Sequence, residues 1–286
     1  LINVESGFRR STYNGTNRGG GFNGGLADWD KTLLRKAEAR LSVPYFGFLS
    51  LGQGSMAGDG ITGFDVSNTA VIANNSVGDT VAGLPAYFAT GVPSEVQLQG
   101  YFPTFDASRR LRVRYDSVTN DGLSWAVSAG REVLIDSDNN TYADAALRYE
   151  TDWRGFRIKS GVAYVFNDGA SDFLSGSIAG IDDATGLNFA LAGGANSYDG
   201  RYIYGKVGII REIFGLGDTA FSADYYRSRK PVITANGSQS WGVSVVQNID
   251  ANQSQLYATY RRYHVDALGI PIQDAEVAAV GVRFVW

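Results

Sequence analysis

Three arginines stand two apart in the segment RRLRVRY, at Arg110, Arg112 and Arg114. In an extended chain that spacing puts their guanidiniums on one side and Leu111, Val113 and Tyr115 on the other. Like charges in such a row repel unless something negative faces them. Either the face is simply solvated, or an acidic partner lies opposite. Acidic candidates occur in the longest stretch without strand-like alternation, residues 54–107, which carries Asp59, Asp65 and Asp79 among Gly, Ser and Thr. Guanidiniums on one side of a narrow aqueous slit and carboxylates on the other would make a transverse field that orients water and favours small polar solutes. Asp59 is followed by Gly60, which is also plain turn chemistry. Asp65, in FDVSNT, is the better candidate.

Other chemistries find little support. His264 is the only histidine, with Asp266 two residues on, but no serine is singled out as a nucleophile beside it. There is no cysteine, hence no thiolate nucleophile, thiolate metal site or disulfide framework. The glycine-rich stretch Arg18–Gly25 lacks the strand–Gly–helix setting and the Lys-Ser/Thr of a phosphate-cradling loop. Net charge is −4 with both signs spread along the chain, so no basic tract argues for nucleic acid. The reading assigns no enzyme activity, no cofactor and no metal.

Short alternating segments must position the charged residues. From Ser108 onward, runs of about ten residues with period two are separated by links rich in Gly, Asp, Asn and Ser. Leu123, Trp125, Val127 and Ala129 oppose Ser124, Ala126 and Ser128, and Ala143, Ala145, Leu147 and Tyr149 oppose Asp144, Ala146, Arg148 and Glu150. Phe156 and Ile158 oppose Arg157 and Lys159, Ile203 and Val207 oppose Tyr204 and Lys206, and Leu256, Ala258 and Tyr260 oppose Tyr257, Thr259 and Arg261. The closing run AAVGVRFVW sets Val280, Val282, Phe284 and Trp286 on one side. Fourteen strands are expected, at about 1–10, 32–43, 46–53, 109–115, 122–130, 142–150, 156–166, 173–181, 187–194, 201–210, 219–227, 240–248, 255–264 and 275–286. Together they make one all-β domain over the full chain.

No run approaches ~18 uninterrupted apolar residues, so no transmembrane helix is expected. A closed β-barrel meets lipid differently, with strands alternating between hydrocarbon and lumen, and it keeps mean hydropathy near neutral; here it is −0.13. A soluble β-sandwich would alternate too. Its core would favour Val, Ile and Leu, whereas these faces end in Tyr, Trp and Phe, as in the aromatic girdles of a membrane barrel. Phe284 and Trp286 would then stand at the membrane interface, and Arg148, Arg157, Lys159, Lys206 and Arg261 would line the lumen.

VESGF (Val4–Phe8), RKAEARL (Arg35–Leu41) followed by FGFLSLGQGS (Phe46–Ser55), RVRYDS (Arg112–Ser117), SQLYATYRRY (Ser254–Tyr263) and the closing GVRFVW together resemble a Gram-negative general porin, most closely those of alphaproteobacteria. The resemblance implies a transmembrane antiparallel barrel of 16 strands in the outer membrane. It also implies a homotrimer in contact with lipid and lipopolysaccharide, and passive diffusion of small hydrophilic solutes and ions. Residues 54–107 would be a third extracellular loop folded into the lumen as a constriction. Arg35 matches a wall arginine of the family, to stand with Arg110, Arg112 and Arg114, and Gln53 stands where the family usually has a pore arginine. Arg18–Gly25 would fall in the second extracellular loop.

VESGF belongs to the family's third strand, so the first hairpin has no counterpart. The sequence as given is then an incomplete record of the mature chain, or the barrel closes with fewer strands. Two registers remain open for 35–40: Arg35 in the lumen, as the motif implies, or Lys36, Glu38 and Arg40 in the lumen with Arg35 at the rim, as alternation favours. Two other functions also remain. A tyrosine track (Tyr202, Tyr204, Tyr257, Tyr263) would mark a sugar- or peptide-specific channel, and a barrel with an incidental pore would be a structural or adhesive anchor.

Overall fold

The computed structural model describes residues 1–6, 31–136 and 138–284. Trp286 and Arg18–Gly25 lie outside them. Fourteen strands form one sheet, each hydrogen-bonded antiparallel to its neighbours in chain order. They are β1 Ile2–Ser6, β2 Leu34–Val43, β3 Gly47–Ser55, β6 Arg109–Asp116, β7 Leu123–Arg131, β8 Thr141–Trp153, β9 Phe156–Asn167, β10 Phe173–Asp182, β11 Leu187–Asn196, β12 Arg201–Glu212, β13 Asp218–Arg229, β14 Ala235–Ile249, β15 Ser254–Ala267 and β16 Ala275–Phe284. A separate hairpin, β4 Pro85–Tyr87 and β5 Pro93–Gln97, lies within the long link between β3 and β6.

The fourteen expected strands all occur, and the largest shift is at β14, which begins at Ala235 rather than near Ser240. Asn236 and Gly237 look like loop residues in sequence, yet Gly237 pairs with Arg229 and Ala235 with Ala267 across a bulge. Residues 54–107 are not a bare loop. Ser55 still belongs to β3, and the link holds its own hairpin and three 3₁₀ turns, Ile61–Gly63, Val77–Val81 and Leu98–Tyr101.

The two faces of the sheet invert the distribution of a water-soluble protein. Buried side chains on one face include Arg112, Lys206, Arg261, Asp144, Asp224 and a series of serines. The other face presents Leu51, Val113, Trp125, Leu147, Val162, Leu174, Leu191, Val207 and Val243 exposed. Each such side chain left in water would forgo about 1.5–3 kcal/mol of burial free energy. Among the described residues no second sheet covers this apolar face, for β4 and β5 pack on the polar one. The sandwich alternative fails on that point.

The polar face is concave. Residues of the 56–107 link touch β6 through Arg114, β7 through Ser128, β8 through Asp144, β10 through Ser177, β12 through Lys206, β13 through Tyr226, β14 through Ser238 and β15 through Tyr263. At ~4.8 Å per strand, a flat sheet would spread β6 to β15 over roughly 43 Å. The link meets all eight from the polar side, so it lies against the inside of the wall. The chain therefore has the all-β, antiparallel barrel architecture expected, with the long link inside.

The register of 35–40 is resolved in favour of alternation. Glu38 pairs with Gly52 and Gly52 with Arg112, so Glu38 shares the inner face with the arginine row and forms an ion pair with Arg112. Arg35 is the extra residue of a bulge, since Glu5 pairs with Lys36 and Ser6 with Leu34. It stands at the rim, bonded to Glu5 Oε1 at 2.6 Å, apart from the row it was expected to join.

Candidate functional site

The arginine row does have carboxylates opposite it, but they are not the link's aspartates. Arg110 meets Glu132 at 3.2 Å and lies 4.2 Å over the Tyr142 ring. Arg112 pairs with Glu38, and Arg114 makes a forked contact to Asp116 at 2.6–3.0 Å. Their remaining donors hold the start of the link: Arg112 Nε bonds to Ser55 O at 3.1 Å, and Arg114 Nη1 to Met56 O at 2.7 Å. The row is a neutralised latch for the link rather than a free cationic wall.

The link continues to be held strand by strand. Ala57 N–H donates to Ser128 Oγ at 2.9 Å, Gly58 N–H to Asp144 Oδ2 at 2.7 Å, and Arg148 donates to Ala57 O. Gly58 leaves no room for a side chain, because a Cβ there would lie 2.9 Å from that of Ala163. At the next anchor, Ser177 Oγ bonds to Ile61 O at 2.5 Å.

Asp65 is the second major fastening. Its carboxylate pairs with Lys206, whose ammonium, fully buried, also donates to Ala73 O at 2.8 Å. One rung further round, Arg261 and Asp224 form a forked pair at 2.6 and 2.7 Å with neither side chain exposed. Lys206 and Arg261 were expected to line the lumen; both are fully buried, Lys206 against the link and Arg261 against Asp224 and Ser240 of the wall.

An apolar half completes the seat. Val77, Val81, Leu98, Tyr101 and Phe102 of the link pack on Tyr202, Tyr204, Tyr226 and Tyr263 of the wall. Tyr226 and Tyr263 donate to Pro103 O and Val77 O at 2.6 and 2.7 Å. With Tyr202, Tyr204 and Tyr263 at most 4% exposed, these rings offer no face to a passing sugar. Three of the four tyrosines of the alternative track thus belong to the core that holds the link, while Tyr257, half-buried, lies outside it.

Charged groups still bordering space cluster near the tight-turn end. A cavity of about 530 Å³ is bounded by Asp65 and Asn68 of the link and by Arg157, Lys159, Asp183, Glu212 and Asp218. Arg157 pairs with Asp183 at 2.7 Å and Lys159 with Glu150 at 3.4 Å, all four half-exposed. Arg157 and Lys159 share the parity of the buried Ala163 and Val165 of β9. Glu212 and Asp218 are cross-strand partners. Charges of both signs therefore border this space, Arg157, Lys159 and Arg211 among Asp65, Asp183, Glu212 and Asp218, and they come from other residues than the arginine row.

Of the link's acids, Asp79 is exposed on a 3₁₀ turn, while Asp59 lies 4.0 Å from Arg109. Asp106, which the sequence reading passed over, accepts from Gly60 N–H at 2.9 Å. Burial, with the nearby Asp59 charge adding to it, pushes its carboxyl up to about 6. Gln53 is buried opposite Ala37 and Leu111, so it borders no open channel. Phe284 is exposed on the apolar face at the tight-turn end, opposite Ser254. The missed partners Glu38, Asp144 and Asp224 had one usable signal, their place on the charged parity of their strands, whereas Glu132 lies just beyond the end of β7.

No family model matches the chain, and no curated relative matches it. Solved structures do. OprB of Pseudomonas putida superposes with a TM-score of 0.61 at 8% identity, over 89% of this chain and 74% of that one. OmpF of Salmonella typhi gives 0.51 at 14% identity, over 88% and 78%. A BenF-like porin of Pseudomonas fluorescens Pf-5 gives 0.50 at 10%, over 84% and 64%. At these identities the likeness is one of fold: the chain shares the all-β architecture of porins.

Proposed function

We propose that this protein is an outer-membrane channel of a Gram-negative bacterium for passive, size- and charge-filtered diffusion of small hydrophilic solutes and ions. The observation that carries the reading is the inverted wall, apolar outside and charged within, around a link hydrogen-bonded to eight of its strands. Such a wall satisfies its backbone by strand pairing and can face hydrocarbon. A link seated inside narrows the passage without sealing it by mobile contacts, and charges of both signs at the tight-turn end favour polar over apolar solutes. No covalent step belongs to this reading. The finer assignments, a homotrimer and an alphaproteobacterial type, rest on the sequence motifs quoted above.

Single-channel recording in planar bilayers tests it. An ohmic current that scales with salt concentration is expected, with a size cut-off for neutral solutes in vesicle swelling. Folded, inserted protein that passes no current would overturn the channel. Current that saturates and is blocked by one sugar would favour a specific channel instead.

A further inference from the structure

At the long-link end of β12–β15, the outward parity changes character within two residues. Tyr225 and Trp241 face each other across a rung, both exposed, with apolar Val243 and Val207 further down the wall. One step beyond, on the same outer face, stand Arg227 and Arg229 of β13 and Arg201 of β12. Arg201 lies directly opposite Arg229, and Arg227 opposite Ile203 and Gln239. Like charges across one rung destabilise a sheet.

Among the described residues no carboxylate pairs with them directly, although the Asp199 charge acts on Arg201 and Arg229 from beside them. None of the three guanidiniums has a carboxylate within ion-pair distance or a hydrogen-bonded side chain. The nearest acid, Asp199, is held by Lys230 at 2.8 Å. Elsewhere on this rim the cations are partnered: Arg262 and His264 share Asp274, at 2.9 and 2.7 Å. The three unpaired arginines border a groove of about 730 Å³ lined also by Gly194, Gly237, Lys230 and one acid, Asp266. Tyr225 Oη donates to Gln239 Oε1 at 3.0 Å, so the ring's polar tip points toward the groove and its body toward the apolar wall.

Aromatic rings of this kind mark the headgroup level of a membrane. Guanidiniums just above it meet phosphate in the forked geometry they are suited to. We propose that Arg201, Arg227 and Arg229 form an outward-facing cradle for the phosphate of a lipid headgroup, whose acyl chains lie along Tyr225, Trp241 and Val243. The bound phosphate supplies the negative charge that the Arg201–Arg229 rung lacks. This inference rests on the reading that the apolar wall is embedded in a bilayer.

The test uses the protein inserted in phosphatidylcholine vesicles doped with spin-labelled phosphatidic acid, with labelled phosphatidylcholine as reference. Wild type should immobilise phosphatidic acid preferentially, and the triple change Arg201→Gln, Arg227→Gln, Arg229→Gln should cut that preference by about tenfold or more. Channel current should be unchanged, because these side chains are outside the lumen. Arg229→Gln alone relieves the like-charged rung and should fold even if the triple variant does not, with a smaller loss in the same direction. Arg154→Gln, at the tight-turn end, should leave the preference intact. Equal preference in the arginine variants, equal loss in Arg154→Gln, or displacement by equimolar inorganic phosphate would overturn the lipid cradle. Failure of the wild type to insert would instead overturn the membrane reading beneath it.

Discussion

Arg261 and Asp224 face each other on the inner wall with no side-chain surface in contact with solvent. The guanidinium lies flat over Gly242, where a Cβ would come within 2.8 Å of it, so this strand glycine exists to let the arginine approach. Removing one partner from a buried pair strands the other charge and costs about 3–5 kcal/mol, whereas removing both can be nearly neutral. Arg261→Met should therefore lower resistance to urea-induced unfolding by about that amount, and adding Asp224→Leu should recover most of it. Additive losses in the double variant would show that the two groups act separately. Asp106 offers a pH readout at the same scale. Its folded-state carboxyl titrates at about 6, above the ordinary value of 3.8, so between those values the folded chain holds more protons than the unfolded one. Stability from this group is fully present below about pH 4 and is lost as pH rises through 6. Comparison of thermal midpoints at pH 5 and 7 should show a drop in wild type that Asp106→Asn reduces, and an unchanged drop would refute the assignment.

The long link is the element that decides what passes, and its middle hangs on one fastening. Lys206 ties Asp65 and Ala73 O to β12, while the aromatic core secures only the later part, from Val77. The double change Asp65→Asn, Lys206→Met leaves no stranded charge and should free residues 65–73 from the wall. Larger single-channel conductance and noisier open current are expected, with Lys206→Met alone costing the seated state about 3–5 kcal/mol through the unpaired Asp65. Conductance identical to wild type would mean that this part of the link does not border the passage. The strands were legible in sequence because period two is a local signal; β8 and β12 declare their charged and apolar sides within ten residues. The link was legible only as a gap between strands. Its fastenings join residues far apart in the chain, Glu38 to Arg112, Asp65 to Lys206 and Val77 to Tyr263, and no local pattern selects one acid among several for a given arginine. Hence Asp65 was found without its partner, and the wall tyrosines were seen without the apolar turn that covers them. Arg35 was placed on the wall by the motif alone; the alternation of Lys36, Glu38 and Arg40 already put it at the rim, where the bulge holds it.

Across the whole molecule, one choice of solvent for each face accounts for both distributions. The inner face buries charge by pairing it, since Glu38, Glu132, Asp65 and Asp224 each meet a cation. The outer face offers Leu, Val and Trp that no other described residue covers. A change that is innocuous in water but costly in hydrocarbon separates the membrane wall from a soluble sheet. Leu147 is suited to it, for its outward side chain sits between Trp125 and Val162 near the middle of β8 and is 44% exposed. On a water-facing surface, Leu147→Lys should alter stability by no more than about 0.5 kcal/mol. At a bilayer midplane it should cost about 2–4 kcal/mol, with smaller penalties toward either interface. Urea titration of folding into vesicles measures the difference directly, with Tyr149→Lys, two residues nearer the tight turn, as the shallower comparison. A loss at Leu147 clearly larger than at Tyr149 is expected from a lipid-facing wall. Two small and equal losses would place both side chains in water and remove the physical basis for a channel.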